Sequence, residues 1–183
     1  MDFLKKIRLW RGLEKFVNNP VVAKAQEPFR GVINRVASVW TPDQRKRPAP
    51  FVLYTKPLAE SRVAVVTTAG LYLEGDEPFD TDSGRGDASF RHIPTDFDKE
   101  QIRIAHSHYS HQRANEDINV LVPIDNLRAL ADHRVIAGLT ENIYSFGFGG
   151  GLVKEYVGKN GTAHRLAELL KNEGADLVLL APA

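Results

Sequence analysis

The sequence of 183 residues contains no cysteine. That absence removes disulfides, cysteine–zinc sites, iron–sulfur ligation and thiol catalysis by these residues themselves. Neither sign of charge is in excess: 24 Lys and Arg stand against 23 Asp and Glu, for a net charge of +1. A nucleic-acid partner, which needs a strong basic footprint, is therefore not expected. No run approaches the ~18 apolar residues of a membrane span. The basic start, with Lys5, Lys6, Arg8 and Arg11 among Phe3, Leu4, Ile7, Leu9 and Trp10, lacks a signal core and a small-residue cleavage site. A cytoplasmic protein is expected. The short basic amphipathic turn reads first as packing on its own domain and second as docking on a partner or a membrane.

What is present is ordinary globular composition, 43% hydrophobic and 26% charged, enough to build a core without covalent staples. Residues 1–40 read as a helical arm. Val22, Ala25, Phe29, Val32, Ile33, Val36 and Val39 recur at three- and four-residue steps, Pro20 suits a first helical turn, and Thr41-Pro42 stops it. Residues 43–50, with Arg45, Lys46, Arg47, Pro48 and Pro50, read as a basic linker. An α/β domain is then expected over residues 56–183, after an arm and linker over residues 1–55.

In that domain the β-branched run from Arg62 to Thr68 suits a central strand covered on both faces. Residues 74–87, with six carboxylates and three glycines, make a connection long enough to be functional or mobile; a solvated acidic loop is the plainer reading. Strands are also expected over residues 102–105, 118–123, 143–146 and 175–180, the last one buried. Asp125 is expected to cap a short helix through Leu127 and Leu130. A helix is expected over about residues 152–172, broken near Gly161 and closed by Gly174. Strand and helix alternate from residue 118 onward, which predicts a parallel-dominated sheet with helices on both faces, a Rossmann-like three-layer α/β fold.

The sharpest chemical feature is His106-Ser107-His108-Tyr109-Ser110-His111, which holds half of the six histidines. Neutral imidazoles bind metals and move protons near pH 7. In spacing alone the run resembles the histidine signature of metallo-β-lactamases, with Ser110 where that family has aspartate. Metal binding by His106, His108 and His111, substrate or partner recognition, and plain hydrogen bonding within the loop all remain open. Thr67, Thr68 and Gly70 at one strand end, and Tyr144 and Ser145 at another, are candidates for substrate binding, because ligands of open α/β sheets sit beyond strand carboxyl ends. Their plainer role is hydrogen bonding in the core. The run Gly147-Phe148-Gly149-Gly150-Gly151 between strand and helix lacks the residues of a phosphate loop and reads as a tight turn.

Several ordered blocks together carry a family resemblance. Lys56-Pro57-Leu58-Ala59-Glu60-Ser61-Arg62 leads into Val63-Ala64-Val65-Val66-Thr67-Thr68-Ala69-Gly70. Glu77-Pro78-Phe79-Asp80, Gly86-Asp87-Ala88-Ser89-Phe90-Arg91, Ile93-Pro94, the histidine run, Asp117-Ile118-Asn119, Pro123 with Leu127, and Tyr144-Ser145-Phe146 follow in order. This resembles the selenoprotein B family of glycine, sarcosine, betaine and D-proline reductases. The resemblance implies a reductase subunit that cleaves a C–N bond of a small amine or amino acid. A selenocysteine or cysteine acts as nucleophile, a pyruvoyl group on a partner subunit activates the substrate, and a thiol donor supplies the electrons. It implies other reductase subunits as partners, leaves an oligomer open, and places no cofactor in this chain. It also implies a redox residue after a proline-containing turn such as Ala181-Pro182-Ala183, so the domain is expected to be incomplete at its carboxyl terminus, with an in-frame UGA codon as one cause. His106, His108 and His111 are then the candidates for acid–base work, with Thr67, Thr68, Gly70, Tyr144 and Ser145 around the substrate. A metal-dependent hydrolase using the three histidines and a non-catalytic binding subunit are the alternatives.

Overall fold

The computed structural model describes residues 52–82, 86–107, 109–148 and 152–183. The chain divides into two compact units, Met1–Thr55 and Lys56–Ala183, and every element below belongs to the second. The expected helical arm and basic linker fall almost wholly outside the described residues.

The main sheet has four strands in the order β3-β5-β1-β6. Its elements are β1 (Arg62–Thr67), β3 (Phe90–Pro94), β5 (Gly138–Phe146) and β6 (Leu177–Ala181). β5 and β6 both run parallel to β1, and only β3 is antiparallel, on the outer side of β5. β2 (Leu71–Leu73) and β4 (Ile102–Ile104) form a separate antiparallel ribbon. Among the described residues the α-helices are α1 (Gln112–Glu116), α2 (Ile124–Asp132), α3 (Val153–Val157) and α4 (Thr162–Asn172). The result is the expected α/β architecture with a parallel-dominated sheet.

The two faces of the sheet have separate cores. Val65, Ile143 and Ile93 pack with Ile118, Val122, Ile124 and Leu127 around α2. Ala64, Tyr144 and Phe146 pack with Leu166 and Leu170 of α4. Alternation of side chains along a strand sends neighbours to opposite faces, and covering both is what the apolar β1 run requires. Between Val63 and Val65 the β1–β5 register shifts: two steps along β1, from Val63 to Val65, correspond to four along β5, from Leu139 to Ile143. The extra residues are held by Thr95, whose amide donates to Glu141 O (2.9 Å) and whose hydroxyl donates to Thr140 O (3.2 Å).

Three expectations need correction. Residues 118–123 are not a strand; Ile118–Val120 is a 3-10 turn. The Asp117 carboxylate accepts from the Asn119 amide (2.9 Å), and such local side-chain bonds favour a turn over extended backbone. Asp125 does not cap its helix but lies within its first turn. Asn119 does the capping instead: its Oδ1 accepts from the Asp125 amide (3.0 Å), one of the donors a helix start leaves free. The last strand forms, as β6, but it is an edge rather than a buried strand: Val178 and Leu180 are 45% and 70% exposed. Helix α4 covers β1 and β5, so its apolar stripe does not reach β6. The break near Gly161 is real, with α3 ending at Val157 and α4 starting at Thr162. Gly174 closes α4 with φ +71°.

Candidate functional site

From β1 the chain passes over the α2 face to β5. From β5 it passes over the α4 face, back across β1, to β6. Connections leaving adjacent strands toward opposite faces open a crevice at their carboxyl ends, where ligands of such sheets bind. Here that crevice lies between β1 and β5, and Gly70 stitches it. The Gly70 amide donates to Phe146 O (2.8 Å), and its carbonyl accepts from the Ala105 amide (2.8 Å). It adopts φ +68°, and a Cβ there would lie 2.4 Å from Ala105 O and 3.0 Å from His106 Cβ. Only glycine lets the histidine segment approach the strand ends this closely.

His106 is buried beside Tyr109 and Phe148, with ring centroids 4.7 and 6.0 Å away. Tyr109 is anchored by its hydroxyl, which donates to Ala69 O (2.7 Å), and burial pushes the phenol above its ordinary pKa, so it stays a donor. Its other neighbour is His111, 4.8 Å away between ring centroids. The His111 Nε2 atom is buried with no hydrogen-bond partner among the described residues.

The acidic loop forms the opposite wall. Arg91 donates from Nε to Glu77 O (2.8 Å), from Nη2 to Pro78 O (3.2 Å) and from Nη1 to Ser89 Oγ (2.8 Å). Its guanidinium stacks 4.4 Å from the centre of the Phe79 ring. Asp87 accepts from the Asp80 amide (3.1 Å), the Ser89 amide (2.8 Å) and the Ser89 hydroxyl (2.5 Å). Burial works against the Asp87 carboxylate, but the Ser89 and Asp80 bonds and nearby Arg91 outweigh it and hold the pKa below its ordinary value. The clasp rests on the end of β5. The Asp87 amide donates to Phe148 O (2.7 Å), and a Cβ at Gly147 would meet the Phe79 ring at 2.6 Å. The two ends of the acidic loop, 77–80 and 86–91, thus close on each other to make one wall of the crevice.

Between the walls is a cleft of about 470 Å³, lined among others by Phe79, Asp80, Asp82, His106, Ser107 and His111. It offers two imidazoles, a hydroxyl, carboxylates and one aromatic face. Of the residues singled out from sequence, His106 and His111 line it, and Gly70 packs against Ala105 and His106 behind its wall. His108 lies outside the described residues. Thr67 is fully buried and accepts from the Ala69 amide through Oγ1 (3.2 Å). Ser145 is also buried, and its Oγ accepts from the Leu71 amide (2.7 Å). Thr68 Oγ1 accepts from the Ala183 amide (3.2 Å). Tyr144 points the other way, toward α4, where its hydroxyl donates to Glu173. Burial, then the Glu173 carboxylate, raises its pKa. Phe79, Asp80, Asp82 and Ser107 were not singled out; the length of the acidic loop was the signal that could have found the first three. Among the described residues no group of three or more His, Cys, Asp or Glu is arranged to hold a metal ion.

The comparisons with known proteins bear on this same region. The family described as glycine/sarcosine/betaine reductase selenoprotein B matches residues 44–183. The chain belongs to that family. Among curated proteins, D-proline reductase subunit gamma of Acetoanaerobium sticklandii is 37% identical over 142 residues. The alignment covers 78% of this chain and 52% of the relative, so the chain spans about half the length of the curated relative it matches. No solved structure matches the chain. Within this selenoprotein B family member, both cleft walls lie inside the matched residues. Among the described residues, no helix is long and apolar enough to cross a membrane.

Proposed function

We propose that this chain is a cytoplasmic component of a reductase of the glycine, sarcosine, betaine and D-proline type, and that its cleft holds the small amine or amino-acid substrate. The observation that carries this is that the family match spans 44–183 and so includes both walls of the cleft. Asp80 and Asp82 present negative charge to a cationic amine. His106 and His111, with His108 on the same segment, hold or deliver protons; Gly70 and Thr68 shape the strand ends; Thr67 and Ser145 keep them rigid. Tyr144 ties the opposite face.

The reaction replaces a C–N bond by C–H and N–H, consuming two electrons and two protons, while two thiols of the donor become one disulfide. A pyruvoyl group on a partner subunit supplies carbonyl activation of the substrate. These 183 residues contain no cysteine, so the selenocysteine or cysteine nucleophile is contributed from outside them, with other reductase subunits and a thiol donor as partners.

The test is a thiol-dependent reduction assay with glycine, sarcosine, betaine and D-proline. The 183-residue chain alone should be inactive, and the complete assembly purified from its own cells should reduce one of them. His106→Ala in that assembly should lower turnover by about 10²-fold or more, the usual range for a lost general acid or base. Reduction by the isolated chain overturns the external nucleophile. Failure of the assembly with all four substrates overturns the function.

A further inference from the structure

The two edges of the main sheet are built differently. β3 carries Arg91, His92 and Pro94, the charge and proline with which natural sheets blunt an open edge. β6 reads Leu-Val-Leu-Leu-Ala, with neither. Its inner edge pairs with β1 from Val63↔Leu177 to Thr67↔Ala181. Among the described residues no strand pairs with its outer edge. Matched register puts Val178 and Leu180 on the face of Ala64 and Val66, and Leu179 on the face of Val65. Val178, Leu179 and Leu180 are 45%, 36% and 70% exposed, so aliphatic surface lies open on both faces at once. The strand is held firmly in place. The Asp176 carboxylate accepts from the Arg62 amide (2.9 Å) and Lys56 Nζ (2.7 Å), and its amide donates to Arg62 O (2.9 Å). A fixed, uncharged strand that is apolar on both faces has the character of an interior strand of a parallel sheet.

We propose that β6 is an interior joint of a larger sheet. Its outer edge takes a further β-strand, aliphatic on both faces, contributed by the portion of the family's sequence that these 183 residues do not span. The relative named above is about twice as long as the stretch it shares with this chain, and that supplies the occupant. The proposal rests on the reading that a companion portion completes the reductase, and it reads contact, not turnover.

A photo-cross-linking residue replaces Leu180 in the protein expressed in and purified from its own cells, with Val157, 63% exposed on α3, as the control position. Cross-links from position 180, and not from 157, to a segment matching the unspanned half of the family are expected. Leu180→Lys should weaken that association about tenfold or more, since a lysine would be buried without a partner, and should leave the melting temperature of the isolated chain unchanged. Cross-links to a second copy, cross-links to residues 1–51, or none at all overturn the proposal. Cross-linking to the companion in a preparation without reductase activity leaves this inference standing and removes the function; activity without the cross-link does the reverse.

Discussion

The two faces of the sheet use adjacent residues for opposite purposes. Ser145 turns toward the α2 face and holds the Leu71 amide, where the chain leaves the crevice. Tyr144 turns toward α4 and, with Asn142, holds Glu173 at the end of that helix. On the first face the polar groups fix a cleft. On the second they fix a helix. The comparison teaches that position at a strand end is not enough to make a site residue; the face decides.

The largest predicted effect breaks the first face. Gly70→Val forces a side chain into the Ala105 carbonyl at a positive φ. It should displace the histidine segment and cost several kcal/mol, beyond the ~1–2 kcal/mol of a left-handed non-glycine residue alone. Thermal melting and the imidazole NMR signals of His106 and His111 check this; unchanged signals would contradict the role given to Gly70. Next come the paired variants Ser145→Ala and Tyr144→Phe. Each leaves a buried polar group short of a partner and should cost about 1–3 kcal/mol by denaturant unfolding. Only Ser145→Ala should move the His106 signals, and an equal response to both would erase the distinction between the faces.

A smaller effect comes from pH. The folded Asp87 pKa lies below the ordinary value of a free aspartate. Its contribution to stability is therefore fully present above that value and is lost as pH falls through the lower folded one. Asp87→Asn should flatten the acid limb of the stability curve, measured by chemical denaturation at a series of pH values. The smallest effect belongs to the second face. Gly174→Ala, at φ +71° with open space around it, should cost about 1 kcal/mol and leave the cleft signals untouched.

Much of this was legible in the sequence, for physical reasons. The β-branched run of β1 identified a strand with two covered faces, and Gly161 and Gly174 punctuated the last helices as backbone freedom demands. His106 and His111 were legible because imidazoles cluster in six residues. What stayed hidden depends on particular side-chain contacts that neither period nor composition encodes. The Asp117 carboxylate accepts from the Asn119 amide and turns an aliphatic run into a 3-10 turn. Arg91 stacks on Phe79 across a loop whose acidic composition advertises only solvent. The exposure of β6 was invisible because an aliphatic strand looks the same whether its neighbour is present or not.

The register shift in β5 carries a consequence for how this domain tolerates insertion. Four steps on β5 against two on β1 leave an excess of two residues, and side chains along a strand alternate with a period of two. The excess is even, so parity survives it, and the residues beyond still face where their neighbours on β1 face. Removing one residue near Thr140 would make the excess odd. Tyr144 would then swing over the cleft, and Ser145 would be carried under α4. A change of a single codon there would exchange the latch and the site without altering either side chain.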